Sequence, residues 1–203
     1  MLKPNGYEEA QVQGEREFPA VGGHHMVIKH IVESETKTGK SMIIVYFDFA
    51  KNDRQPALFA NEYKADIRPE KKWPRRGTQY VVVEDNEGKT SRAYKTFCTC
   101  FEKSNNTKIS WDSNSEKWCA QFKNKLIGGA FGIVHSVYDG KEYAASELRW
   151  FVTDSEVDPE KVPKERELSE SDKQQLYNAS HQQNQETNDW MNVPDNEEAL
   201  PFN

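Results

Sequence analysis

Apolar and polar residues alternate in a long stretch near the start of the chain. Within His24 to Glu33, Met26, Ile28 and Val32 share one parity and Val27 and Ile31 the other; a polar turn from Ser34 to Lys40, containing Gly39, then leads into Met42 to Phe49. Alternation interrupted by a Gly-containing turn predicts a long β-hairpin. The second arm, MIIVYFDF, is apolar on both parities through Phe47. It therefore predicts a strand that is central in a sheet or has one face covered by a ligand. A second hairpin is predicted from FGIVHSVY, an Asp139-Gly140 turn and EYAASELRWFV.

Between the hairpins the period changes. Thr90 or Ser91 is placed to cap a helix from Arg92 to Lys103, on which Tyr94, Phe97, Cys98 and Phe101 fall on one face. Ser115 is placed to cap a second helix, with Trp118, Cys119, Phe122 and Leu126 as its apolar stripe and Gly128-Gly129 as its stop. Residues 52–77 are fragmented by Pro56, Pro69 and Pro74 and read as mixed, followed by a short β-like YVVV run from Tyr80. Residues 1–23, with their Gly22-Gly23 pair, read as an extended lead-in. From Ser169 onward the chain is rich in Gln, Asn, Ser and Glu, with too few apolar residues to fold alone. The pattern predicts a β-rich α+β chain, with one domain over 1–168, two helices, and a disordered acidic tail over 169–203. A closed five-stranded barrel is one economical way to bury such a sheet, although periodicity does not fix it.

Charge adds a lopsided balance. Of 33 acidic and 27 basic residues, residues 154–203 hold 13 acidic and 4 basic, leaving 20 acidic and 23 basic in residues 1–153. A mildly basic body with an acidic tail suits a strand binder whose tail competes weakly for its own groove, and it also suits plain solubility. The three cysteines, Cys98, Cys100 and Cys119, form no repeated Cys-x-x-Cys pair. They read as reduced thiols in cytoplasm rather than as a disulfide framework or a zinc site. His24 and His25, adjacent on a predicted strand, should point to opposite faces. The chain has no apolar run of membrane-spanning length and no hydrophobic signal segment, so a soluble, intracellular protein is expected. No clustered carboxylates, nucleophile with its base, or Gly-rich phosphate loop appears, which argues against an enzyme and calls for no cofactor and no metal.

One stretch concentrates chemistry. In RPEKKWPRR, Arg68, Lys71, Lys72, Arg75 and Arg76 surround Trp73. Cations would meet phosphates and an indole would stack on a base without sequence preference. The alternative is a solvated basic loop with Trp73 tucked into the core as an anchor. A groove built from the second arm of the first hairpin, this loop and the last hairpin would add Tyr80 as a stacking residue, with Tyr46, Trp111, Arg149 and Trp150 as further candidates.

Several segments resemble a family of phage and prophage single-stranded-DNA-binding-like proteins of Gram-positive bacteria. They are GYEEAQVQGEREFPAVGGHHMVIK, KTGKSMIIVYFDFA, the KWP element, YKTFCTCFEKSN, GGAFGIV, ELRWFV and KVPKEREL, which span most of residues 1–168. The resemblance implies an oligonucleotide-binding (OB) barrel, single-stranded DNA as ligand, and a place among phage replication and recombination functions in the host bacterial cytoplasm. The last residues, DNEEALPFN, are similar to the acidic tip of bacterial single-stranded-DNA-binding proteins, which recruits replication and repair proteins. That likeness implies that Leu200, Pro201 and Phe202 would supply an apolar grip and Asp195, Glu197 and Glu198 would steer the tip to a basic pocket. Asn203 follows Phe202 where the family's tip ends on Phe. The expected function is non-enzymatic strand binding; the alternative is a recruitment adaptor for host or phage replication proteins with weak or no DNA binding. A homo-oligomer is compatible with the sequence, which does not set the oligomeric state.

Overall fold

The computed structural model describes Leu2, Lys3, Tyr7 and residues 17–189. The first hairpin pairs β1 (Gly22–Glu35) with β2 (Ser41–Phe49) in antiparallel register, from Met26 opposite Phe49 to Glu35 opposite Ser41. A bulge between Ile28 and His30 shifts the register. An extra residue in one strand reverses which side chains face inward. Met26 and Ile28 are buried before the bulge and Ile31 after it, which accounts for the apolar residues on both parities of β1. On β2, Ile43, Val45, Phe47 and Phe49 face the core, while Met42, Ile44 and Tyr46 lie on the other side and are only partly buried.

Within residues 52–77, the helix α1 (Leu58–Ala65) and a 3-10 turn (Arg75–Gly77) precede the short strand β3 (Thr78–Val82). Ala57, at the start of α1, has φ 56° and offers no side-chain cap. The buried Asp48 of β2 caps the helix instead, accepting the N–H of Phe59 (3.0 Å) and of Ala60 (3.2 Å) as well as that of Phe49 (2.9 Å). A carboxylate at a helix N-terminus satisfies donors that the helix leaves unpaired. The predicted helix α2 (Arg92–Asn105) is capped by Ser91 Oγ, which accepts the Tyr94 N–H at 3.1 Å, and it buries Tyr94, Phe97, Cys98 and Phe101.

The next helix is shorter than predicted. α3 (Ser115–Ala120) is capped by Asn114 rather than Ser115 and stops before Leu126. Asn124, with φ 61°, turns the chain, and Leu126 opens β4 (Leu126–Tyr138). Gly128 and Gly129 therefore lie inside a strand, opposite His25 and His24, and do not end a helix. Gly22 and Gly23 likewise belong to β1 and not to a lead-in. β4 returns as β5 (Lys141–Val152) through the Asp139-Gly140 turn, both residues having positive φ.

The five strands form one sheet in the order β3-β2-β1-β4-β5. Among the described residues this sheet is open: β3 and β5 are its two edges, so the closed barrel is not formed, and helices α1, α2 and α3 accompany it. Phenylalanines 47, 59, 97, 101, 122 and 131 are fully buried and dominate the core. After β5, residues 157–163 lie over glycine positions of β1 and β4. The Gly23 N–H donates to Asp158 O at 2.9 Å, and a Cβ on Gly23 would come within 2.5 Å of that oxygen. A Cβ on Gly128 would lie 2.6 Å from Val157 Cγ2. Only glycine lets the strap approach so closely.

The chain divides into two compact units, Met1–Ile133 with Ala145–Glu165, and Val134–Ala144 with Arg166–Asn203. The second holds the tip of the last hairpin and a helix, α4 (Glu170–Asp189), where the sequence predicts a disordered tail. At its start Ser169 Oγ accepts the Asp172 N–H at 3.2 Å, an N-cap bond, and donates to the Asp172 carboxylate at 2.6 Å. Composition pointed to disorder because the helix is polar on nearly every side. The expected docking tip, Asp195 to Asn203, lies outside the described residues. None of the described helices is long and apolar enough to cross a membrane.

The entry to β1 is held by a buried polar latch. His24, fully buried, stacks on Phe49 at 4.2 Å and places Nδ1 2.9 Å from Asp53 Oδ1 and Nε2 2.8 Å from Ala20 O. Burial pushes the Asp53 carboxyl up, but hydrogen bonds from His24, Gln55 and His25 outweigh it and hold the group below its ordinary value of 3.8. A carboxyl with a lowered folded-state value stabilises the fold above its unfolded value, and that contribution disappears as pH falls through the folded value. Asp53→Asn should therefore lower stability at pH 7 by about 1–3 kcal/mol, with the gap to wild type narrowing below pH 3.8. Urea midpoints measured from neutral to acid pH check this; a gap that stays constant with pH would contradict it.

Candidate nucleic-acid interface

Cross-strand register assembles a surface from three strands. On the outer face, Val32 of β1, Ile44 of β2 and Tyr80 of β3 stand in one row; His30, Tyr46 and Thr78 form the next, and Ser34, Met42 and Val82 a third. Tyr80 is 57% exposed and Val32 36%, and the His30 and Tyr46 rings stack at 6.2 Å with 20° between their planes. Tyr46 and Tyr80 are diagonal neighbours on this face, close enough for large side chains to act together. The strap over Gly23 and Gly128 covers the outer face at the opposite end of β1; of the rows, His30, Val32 and Tyr80 are exposed and the other six side chains are partly buried.

Cations border the rows. Arg75 and Arg76 lie in the turn that leads into β3, and a cleft of about 150 Å³ runs between this segment and Glu147 and Leu148 of the other edge strand, β5. Arg75 is exposed; the Arg76 guanidinium lies 4.3 Å over the Phe18 ring. Such stacking holds the guanidinium in place while keeping its charge.

Trp73 has a different place. Its Nε1–H donates to Gly77 O at 3.0 Å and Phe47 O at 3.3 Å, and its partly buried ring packs on the core. The anchor alternative describes this indole: it ties the basic loop to β2. Its ring also meets Tyr63 of α1 at 5.7 Å and 37°, forming one wall of a cleft of about 340 Å³ that Arg68, Lys72 and Arg75 line as well. Arg68 is gripped by Asp66, with Nε 2.9 and 3.0 Å from the two carboxylate oxygens and Nη2 2.7 Å from one of them. The hydrogen bonds from Arg68 hold the Asp66 carboxyl at about 2. Lys71 donates to Lys64 O at 3.2 Å and lies over the Tyr63 ring at 6.0 Å.

The remaining candidates are dispersed. Trp111, 67% exposed, stacks on the buried Trp118 at 6.4 Å. Arg149 donates through Nη1 to Lys164 O at 2.9 Å and so fastens the strap, and its neighbour Trp150 is 45% exposed on β5. Among the described contacts, none joins these three to the Tyr46 and Tyr80 rows. The structure thus brings together Tyr46, Tyr80, Arg75 and Arg76 on one side and Arg68, Lys72, Trp73 and Arg75 on another. Sequence reasoning missed His30 and Val32 because their face depends on the bulge, Ile44 because its row depends on how β2 pairs with its neighbours, and Tyr63 because α1 starts on a cap supplied from β2.

Other chemistry is confined. Cys98, Cys100 and Cys119 are free and buried, and burial pushes the Cys98 thiol up to about 11. His24 and His25 face opposite sides of β1, His25 pairing with Asp154 at 2.9 Å. Among the described residues, no group of three or more His, Cys, Asp or Glu side chains could hold a metal ion. No protein-family model matches the chain, and no curated protein matches it.

The double role of Trp73 can be separated by substitution. Trp73→Ala should cost about 3–5 kcal/mol of stability, as for other large core deletions. Trp73→Phe, which keeps most of the packing and loses the two N–H contacts, should cost about 1–2 kcal/mol. Denaturant unfolding checks both, and an unchanged midpoint for Trp73→Ala would remove the anchor assignment.

Proposed function

We propose that this chain is a non-enzymatic single-stranded DNA-binding protein of phage or prophage DNA replication and recombination. In this reading the outer face of β1, β2 and β3 is the base platform and Arg75 and Arg76 are the first phosphate contacts. The observation that carries it is the exposed Tyr80 with the partly buried Tyr46 diagonal to it on the same face, the pair set among apolar neighbours and Tyr80 bordered by arginines. Exposed aromatic and apolar rows on a sheet are costly unless something covers them, and bases stack on such rings whatever their sequence. The strand order supports an OB-type architecture. In β3-β2-β1-β4-β5, joining the β3 and β5 edges would close a five-stranded barrel, with α2 and α3 inserted between β3 and β4. Oligonucleotides bind to the β2 and β3 face of such barrels. The resemblance to phage single-stranded-DNA-binding-like proteins points the same way.

The acidic end favours a second reading, in which the chain is chiefly an adaptor. Its Asp195, Glu197, Glu198 and Leu200-Pro201-Phe202 tip would hold a replication or recombination protein while the body binds DNA weakly or not at all. Deleting residues 195–203 leaves or raises DNA affinity in the first reading and abolishes partner capture in the second.

Titration of labelled oligo-dT across salt concentrations tests the proposal. Binding should be clear at low salt and weaken as salt rises, with a logarithmic slope of about −0.7 for each phosphate neutralised. Tyr80→Ala should weaken it about 5- to 150-fold, the equivalent of one lost stack. Absence of binding by the wild-type protein at low salt would sink the function. Unchanged affinity in a folded Tyr80→Ala variant would remove the face.

A further inference from the structure

Arg75 lines two cavities at once, the cleft beside Tyr80 and the larger cleft between α1 and the loop that carries Trp73. We propose that the larger cleft is a subsite for one further nucleotide of the strand, reached from the Tyr46 and Tyr80 face by way of Arg75. This rests on the reading of that face as the strand-binding surface.

Size, wall and charge each fit a single nucleotide. At about 340 Å³ the cleft is within the range of small-ligand sites, roughly 300–1,000 Å³. Tyr63 and Trp73, tilted by 37° with centroids 5.7 Å apart, are too close to sandwich a base and instead make one aromatic wall for it to stack against. Three cations and two carboxylates line the space, and their pairing decides what remains. Asp66 holds Arg68 in a bidentate grip, so those two charges cancel locally. Lys72 and Arg75 have no ion-pair partner among the described residues, and Glu62 is the second carboxylate of the lining. One net positive charge suits one phosphate, and the carboxylates disfavour a second.

A length series separates this subsite from the sheet face. Oligo-dT from about 4 to about 16 nucleotides, the span of site sizes for one OB domain, is titrated against wild type, Tyr80→Ala, Tyr63→Ala and Lys72→Ala. Tyr63 is 36% exposed and Lys72 exposed, so both changes should leave the fold intact, which circular dichroism checks. Expected is that Tyr80→Ala weakens every length, whereas Tyr63→Ala weakens only the longer oligomers, by about 5- to 150-fold. Lys72→Ala should follow Tyr63→Ala and make the salt slope of the longer oligomers shallower by about 0.7. Asp66→Asn, by releasing Arg68, should tighten the longer oligomers and steepen that slope. If Tyr80→Ala weakens binding while Tyr63→Ala and Lys72→Ala match wild type at every length, the subsite is refuted and the sheet face stands. Equal weakening of short and long oligomers by Tyr63→Ala would also overturn it, because the defect would then come from a displaced loop. If the wild-type protein binds no oligomer, both readings fall together.

Discussion

The close seating of residues 157–163 on the glycine positions of β1 and β4 sets the character of the sheet. Its outer face is finished by this strap at one end, where Gly23 and Gly128 admit Asp158 and Val157 at distances that a side chain would forbid. Arg149 holds the far end of the strap through Lys164 O. At the other end of this face, Val32 and Tyr80 are exposed and Ile44 and Tyr46 partly buried. The same face is therefore completed from within the chain at one end and carries partly exposed apolar and aromatic rows at the other. Burying apolar surface is worth about 25 cal/mol per Å², so a bare patch of this kind forgoes stability that the fold could have taken. In the proposed function it is the surface kept for a ligand.

Much of the frame was readable from spacing. Both hairpins and α2 follow from period-two and period-three-or-four patterns, and Ser91 caps where the pattern placed a cap. The failures have physical causes. Gly22-Gly23 and Gly128-Gly129 look like punctuation, yet they sit inside strands because the strap needs the room at Gly22, Gly23 and Gly128 and the core side chains Met26 and Leu148 need it at Gly129, tertiary demands with no local trace. Leu126 matches the helical stripe of α3 but is carried into β4 by the left-handed Asn124. α1 starts on a carboxylate ten residues earlier in the chain, and α4 was hidden by a composition that resembles a solvated tail.

The candidate site was legible by residue type more than by role. The KKWPRR loop announces cations around an aromatic ring, but the indole N–H is committed to Gly77 O and Phe47 O, and Arg68 is committed to Asp66. What the loop contributes to the outer surface is chiefly Arg75 and Arg76, presented at the head of β3. Tyr80 gains importance from its register with Ile44, and Tyr46 from its stacking on His30. The Tyr46–His30 relation cannot be counted along the chain because it depends on the bulge that follows Ile28, and the Tyr80–Ile44 relation is set by how β2 pairs with β3.

The central claim is that the bare rows of β1, β2 and β3 hold the bases of a single strand. Ultraviolet cross-linking of the full-length protein to oligo-dT, followed by peptide mapping, tests it most directly. Adducts on the peptides bearing Tyr46 and Tyr80 are predicted, with loss of the second adduct in Tyr80→Phe held to be minor and in Tyr80→Ala complete. Adducts confined to the strap and the glycine-bearing ends of β1 and β4, or a bound oligomer that never labels β2 or β3, would contradict the account.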